Sequence, residues 1–544
     1  MTEESHGDAP RKASFHDVSL AAVPDPVMTA KRVHSEENGS KTGTTIIQST
    51  NTYSYITTEI DDKITPKGYA IITILFTINL LNYMDRLTIS AVLTDVTAYY
   101  NLSSSQGGLL QTVFIVFFMA VAPICGYLGD RYNRKWIMVA GLVIWIAAVL
   151  ASTFVPRNLF YLFLFLRGVV GTGEASYSVI APTVIADMFK ATVRSRVLMV
   201  FYLAIPLGSG LGYIIGSNVA SAMGAWQWGL RVTPIFGALC VVVLAVFVEE
   251  PEREVLEKIQ DEDAGNIIED CWYLLKNKTY VFSTWGYTFV IFTVGTLSWW
   301  APSTIEYAKA ASANLSSTSE LSPEDQNSIG TIFGGITLIS GLVGVITGTL
   351  VATMWKKGSF CFRNCQSRRA DIFVCIFGSA IAVPFLYVAL LTIGGVMTLS
   401  YVFIFITVTA LSLNWACNVD LLMYIVPPRK RNIASAVQTS VGHAFGDASG
   451  PWIVGQIADW AAAGDTTPQA KFDSLKLAFW LPNVLLILSV VMYTLSAFTL
   501  RSDLGKLQKL DVVKYEKNSD TINTKKMTSA VGDSTKNHFK SQEY

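Results

Sequence analysis

Four charged residues stand inside stretches that are otherwise apolar. Asp85 and Arg86 fall in the run 67–92, and Arg167 and Glu174 in the run 159–186. A charge near a bilayer centre costs at least ~2.5–3.5 kcal/mol on insertion scales, so two acids and two bases placed this way are expected to pair and to face a cavity. Asn79, Asn82, Tyr83 and Arg86 are spaced i, i+3, i+4, i+7, which puts them on one helix face. Arg167 and Glu174 are seven apart, so they share a face ~10 Å apart along the axis. Arginines can hold a phosphate; the acids can exchange a proton or meet an amine. This is the chemistry of binding and proton exchange. The competing reading is a structural ion network that fixes helix packing.

His443 stands in Val441-Gly442-His443-Ala444-Phe445-Gly446-Asp447. About twelve residues separate it from the end of its apolar run, or ~18 Å, which is close to the midplane. Histidine titrates in the physiological range, and Asp447 follows one turn later; a packing histidine bonded to that aspartate is the alternative. Asn414 and Asn418, four apart in a later run, are candidates to line the same cavity or to bond neighbouring helices.

The elements that must hold these residues are membrane helices. Of 544 residues, 51% are hydrophobic and 15% charged, and the mean hydropathy is +0.40. Ordinary soluble domains carry about 25% charged residues, so a soluble enzyme is excluded. Twelve apolar runs are each long enough to span: 67–92, 106–128, 136–155, 159–186, 196–219, 230–248, 281–305, 327–354, 371–392, 396–425, 432–458 and 476–500. The fold class expected is an all-α membrane protein of twelve transmembrane helices in two six-helix halves, 66–249 and 281–500. The polar break 250–280 is expected to be a cytoplasmic linker. The polar ends, 1–65 and 501–544, are expected to be disordered cytoplasmic tails. Lys plus Arg (41) equals Asp plus Glu (41), so nothing attracts nucleic acid. Seven scattered Cys and five His offer no disulfide framework or metal site. No cofactor is expected.

Orientation follows from basic residues near span ends. The even-numbered breaks carry 14 Lys and Arg, including Arg131, Arg134, Lys135, Lys356 and Lys430, against five on the other side. Both tails are therefore cytoplasmic. The sequons at Asn101 and Asn314 fall on the opposite side, and Asn314, farther from a span, is the glycosylation candidate.

Gly126-Tyr127-Leu128-Gly129-Asp130-Arg131-Tyr132-Asn133-Arg134-Lys135 resembles the G-x-L-x-D-R-x-x-R-K signature of the major facilitator superfamily. The resemblance implies a conformational latch formed by Gly126, Asp130, Arg131, Arg134 and Lys135, with the aspartate meeting a helix N-terminus, where a negative charge is favoured. The second half keeps only a remnant, with Ala352 where the aspartate would stand. Asn82-Tyr83-Met84-Asp85-Arg86, Arg167 to Tyr177 and Ile205 to Tyr213 are similar to the Spinster branch, which moves lysophospholipids or sphingosine phosphates. That resemblance runs from about 68 to 500.

What it implies is a secondary transporter, not an enzyme, rocking two halves around a midplane site. Asp85 and Glu174 would couple protons; Asn82, Tyr83, Arg86, Arg167, His443, Asn414 and Asn418 would meet a lipid. A lysophospholipid leaving lysosomes is the expected cargo, with sphingosine-1-phosphate export at the plasma membrane as the alternative; a monomer is expected. Tyr53-Ser54-Tyr55-Ile56 fits a tyrosine-based endolysosomal sorting pattern. A lipid-modifying membrane enzyme and a non-transporting lipid sensor are the rivals from other classes.

Overall fold

The computed structural model describes residues 31–37, 40–49, 52–58, 66–189, 191–248, 267–427 and 430–506. It divides into Met1–Thr65 and Pro66–Tyr544.

In the first unit, β1 (Lys31–Glu37), β2 (Ser40–Ser49) and β3 (Thr52–Thr58) form an antiparallel meander. The register pairs Glu37 with Ser40 and Ser49 with Thr52. These strands lie within 1–65, the segment expected to be a tail. The run Thr44-Thr45-Ile46-Ile47 is β-branched, and Asn38-Gly39 is a dipeptide favoured in two-residue hairpin loops. The sorting-like tetrapeptide lies within β3.

The second unit is helical. Its elements are α1 (Pro66–Ala91), α2 (Leu93–Tyr100), α3 (Ser104–Arg131), α4 (Arg134–Ser152), α5 (Phe160–Met188), α6 (Ala191–Met223) and α7 (Trp226–Phe247), then α8 (Ile267–Lys276), α9 (Lys278–Ser312), α10 (Pro323–Lys357), α11 (Ala370–Thr392) and α12 (Met397–Ile425). The chain continues as α13 (Arg431–Gly442), a π-helical turn (His443–Asp447), α14 (Ser449–Ala462) and α15 (Pro468–Ala478), which runs on past Phe479 as helix 480–506. Among the described residues, ten helices are long and apolar enough to cross a membrane. The two spans that complete the twelve are α5, whose hydropathy is lowered by Arg167 and Glu174, and the line α13–α14, which the π turn divides.

Local chemistry sets the helix ends. Ser103 and Gln106 close a capping box on α3, Asn133 caps α4, and Ser322 with Pro323 opens α10. The break 250–280 is not simply a linker. Residues 250–266 lie outside those described, as do 507–544, but Ile267–Lys276 is helical. Ile268, Trp272 and Leu275 are exposed on α8, while Leu274 and Asp270 are buried. That helical period was hidden by the acids before it.

The two halves meet in one buried cluster, with Leu87, Ala91 and Tyr213 from the first packing on Ile305, Phe333 and Ile404 from the second. Polar contacts join the halves on the same side. Ser90 Oγ donates to the carbonyl oxygens of Ser298 (2.8 Å) and Trp299 (2.9 Å). Trp299 donates from its indole to Gly107 O (3.2 Å) across the same boundary, and Trp300 beside it donates to Pro451 O (2.9 Å) within the second half. These contacts lie near the start of α3, opposite the Arg131–Lys135 turn. The molecule is closed on the face expected to be non-cytoplasmic.

Candidate functional site

The four buried charges form two ion pairs. Arg86 Nη2 on α1 is 3.0 Å from Glu174 Oε2 on α5. Arg167 Nη1 on α5 is 3.6 Å from Asp85 Oδ2 on α1. Adjacent residues on α1 thus meet residues seven apart on α5. At Gly171, between the two, an added Cβ would lie 2.2 Å from Phe114 O, so only glycine lets α3 come this close.

The pairs have different surroundings. Asp85 is fully buried. It accepts hydrogen bonds from Thr233 Oγ1 of α7 (2.7 Å) and Trp145 Nε1 of α4 (3.3 Å). Its carboxylate points back into the six-helix half, toward α4 and α7. No sequence signal marked Trp145 or Thr233, because an indole and a hydroxyl in apolar runs read as filler. Arg86 keeps 12% of its side-chain surface exposed against 1% for Arg167. Three aromatic rings surround its guanidinium: Tyr83 (5.0 Å to the centroid), Phe114 (4.9 Å) and Phe118 (5.5 Å). Such rings hold a cation when its carboxylate is elsewhere. Asn82, on the same helix, is buried, and neither of its side-chain polar atoms has a partner among the described residues.

The second half contributes His443. Its Nδ1 lies 2.9 Å and 3.0 Å from the two carboxylate oxygens of Asp447, within the π turn. The ring of His443 stands edge-on to Phe118, 6.1 Å between centroids. Phe118 therefore touches both Arg86 and His443, bringing the cation of one half beside the histidine of the other. Single π turns recur at functional sites.

Asn414 and Asn418 do not line this space. Asn414 is fully buried, donates to Leu411 O (3.1 Å), and packs where Gly378 of α11 leaves room. Asn418 donates to Gln438 Oε1 (2.9 Å) and accepts from Tyr493 Oη (3.3 Å). Asn418 thus bonds helices within the second half, while the bond of Asn414 stays inside α12.

At the turn from α3 to α4, Arg134 is the buried charge. It pairs with Asp187 of α5 and donates through Nε to Gly129 O (3.2 Å). Asp130 and Arg131 are exposed, Gly126 and Lys135 half-buried, and Arg131 covers the Tyr127 ring at 4.1 Å. Asp187 was legible as the acid closing the fourth span but was passed over. In the second half Lys356 takes the remnant's place, 2.8 Å from buried Asp371 and 3.3 Å from Asp420.

The profile of the Major Facilitator Superfamily matches residues 75–451. Protein spinster homolog 1 of Xenopus laevis is 42% identical over 466 residues, 85% of this chain and 84% of its own. The chain belongs to the Spinster family. The Sphingosine-1-phosphate transporter SPNS2 of Xenopus tropicalis is 39% identical over 434 residues, covering 80% of this Spinster chain and 82% of its own. Among solved structures, a bacterial homolog to human lysosomal transporter Spinster, inward-facing and unoccupied, superposes with a TM-score of 0.67 at 18% identity, covering 81% and 98% of the two chains. That likeness speaks for the fold. This Spinster protein is a membrane transporter and not an enzyme.

Proposed function

We propose that the protein is a secondary active, proton-coupled transporter of single-chain phospholipids, carrying lysophospholipid out of lysosomes by alternating access. The observation that carries this reading is the Arg86–Glu174 pair, set among aromatic rings and reaching His443 through Phe118. Protonating Glu174 frees Arg86 for a lipid phosphate, while Tyr83, Phe114 and Phe118 keep the guanidinium in place. Releasing that proton on the cytoplasmic side restores the ion pair and ejects the phosphate. Affinity then differs between the two states, as a coupled cycle requires. Asp85 and Arg167 hold α1 against α5 so that this exchange occurs at a fixed depth, with His443 meeting the head group. The sorting-like Tyr53–Ile56 supports the lysosomal membrane, and Asn314 is taken as the glycan acceptor. A monomer is sufficient, because both halves are in one chain.

A second reading is sphingosine-1-phosphate export at the plasma membrane, favoured by the 39% identity to the transporter named for that lipid. The deciding experiment is flux of lysophosphatidylcholine, lysophosphatidylethanolamine and sphingosine-1-phosphate in proteoliposomes with an imposed pH gradient. Acid-stimulated flux of the lysophospholipids supports the first reading. Flux of sphingosine-1-phosphate alone supports the second. Binding without flux, or an altered lipid, overturns both.

A further inference from the structure

A carboxylate contact between the halves lies near the start of α3, apart from the buried charge pairs of α1 and α5. Helix α3 begins at Ser104, and its first four backbone N–H groups have no partner within the helix. Two are met locally: Ser103 N donates to Gln106 Oε1 (3.0 Å) and Gln106 N to Ser103 Oγ (3.3 Å). The other two are met from the opposite half. Ser104 N donates to Asp459 Oδ1 (2.7 Å) and Ser105 N to Asp459 Oδ2 (2.8 Å), and Asp459 belongs to α14. A carboxylate accepting two amides at the positive end of a helix is a strong cap.

The neighbouring residues are built for this contact. Lys471 Nζ of α15 lies 3.9 Å from Asp459 Oδ1 and donates to Ser104 Oγ (3.2 Å). An added Cβ at Gly455 would fall 2.5 Å from Ser104 O, and one at Gly108 would fall 2.3 Å from Pro451 O. The backbones of α3 and α14 touch along this seam, with Thr112 Oγ1 donating to Ala448 O (2.5 Å) at its inner end. Separating the halves here exposes two helix amides and an aspartate together.

We propose that Asp459 is an outer latch: its carboxylate, carried by one half, caps helix α3 of the other and holds the molecule closed to the outside. The inference rests on the alternating-access reading, and it adds an outer counterpart to the turn at Asp130. Unlatching costs the cap, and the closed state regains it. The charge at position 459 therefore sets the resting balance toward the inward-open form.

The test uses the full chain in nanodiscs, with native cysteines replaced and spin labels at Asn101→Cys and Gln469→Cys, one on each side of the seam. Double electron–electron resonance reads the outer separation without any substrate. Asp459→Ala should raise the outward-open fraction about fivefold, the weight of one lost helix cap. Ser104→Pro is the second variant. Proline is favoured at the first helical position and suits the extended backbone at Ser103 (ψ 166). It removes one of the two amides, together with the hydroxyl that accepts from Lys471, leaves the Asp459 carboxylate in place, and should shift the balance in the same direction by less. A distance distribution unchanged in both variants overturns the latch. A shift in both, with wild-type protein that carries no lipid, keeps the latch and overturns the transport reading instead.

Discussion

The guanidinium of Arg86 lies 3.0 Å from the carboxylate of Glu174, tying the first span to the fifth helix across 88 residues of sequence. The contact is almost dry on the acid side and partly open on the basic side, with exposures of 1% and 12%. An anion approaching this pair therefore meets Arg86 before Glu174.

That asymmetry makes Glu174→Gln the sharpest test of coupling. The amide mimics the protonated acid, so lipid binding should persist while transport loses its dependence on lumenal pH. In wild type, acidifying the lumenal side should increase flux, because protonation on that side frees Arg86. Flux in proteoliposomes across a series of gradients measures both. An equal pH response in the two proteins would make Glu174 a packing residue.

Asp85→Asn should be more damaging than Glu174→Gln. It leaves Arg167 buried with its partner charge removed, and breaking a buried pair in this way costs about 3–5 kcal/mol. Arg167→Ala should act alike by stranding Asp85. Thermal unfolding in detergent should fall for both, and transport with it. A variant at Asp85 with full stability and altered pH dependence would return that acid to the coupling role.

His443→Ala should weaken head-group binding by roughly tenfold, the weight of one charged hydrogen bond, and leave the pH response standing. Binding of a lysophospholipid with and without its phosphate, compared in wild type and variant, separates the head-group contribution from acyl-chain burial. Equal losses for both ligands would assign His443 to packing with Asp447.

At the turn from α3 to α4, Asp130→Ala should shift the balance between inward- and outward-facing states at near-normal expression. Arg134→Ala should instead lower stability, because Asp187 is buried and its partner charge is removed. Cysteine accessibility from both sides reads the first effect, and unfolding temperature the second. An unchanged accessibility pattern with full transport in Asp130→Ala would leave the turn a topogenic loop.

Asn314 is exposed at the turn after α9. Ser103, which would complete the Asn101 sequon, is committed to capping α3. Asn314→Gln should therefore abolish the mobility shift seen on glycosidase treatment, and Asn101→Gln should not. An N-terminal tag should be reached by antibody only after permeabilisation.

Much of this protein was legible as a string. The spans follow from apolar run length and the buried charges from their presence inside those runs, because the cost of placing a group in hydrocarbon is local. The motif Gly126–Lys135 and the sequon at Asn314 are local too. The pairing of charges is another matter. Whether Arg86 meets Glu174 depends on how α1 rotates against α5, and Trp145 and Thr233 bear on that rotation by drawing Asp85 inward. The same holds for Asn414 and Asn418, whose helix faces second-half neighbours, and for Asp459, whose partners lie some 355 residues away on another helix. Hydropathy and periodicity describe one helix at a time, while the partner of a buried polar group is chosen by packing among all of them, and only the tertiary structure decides it.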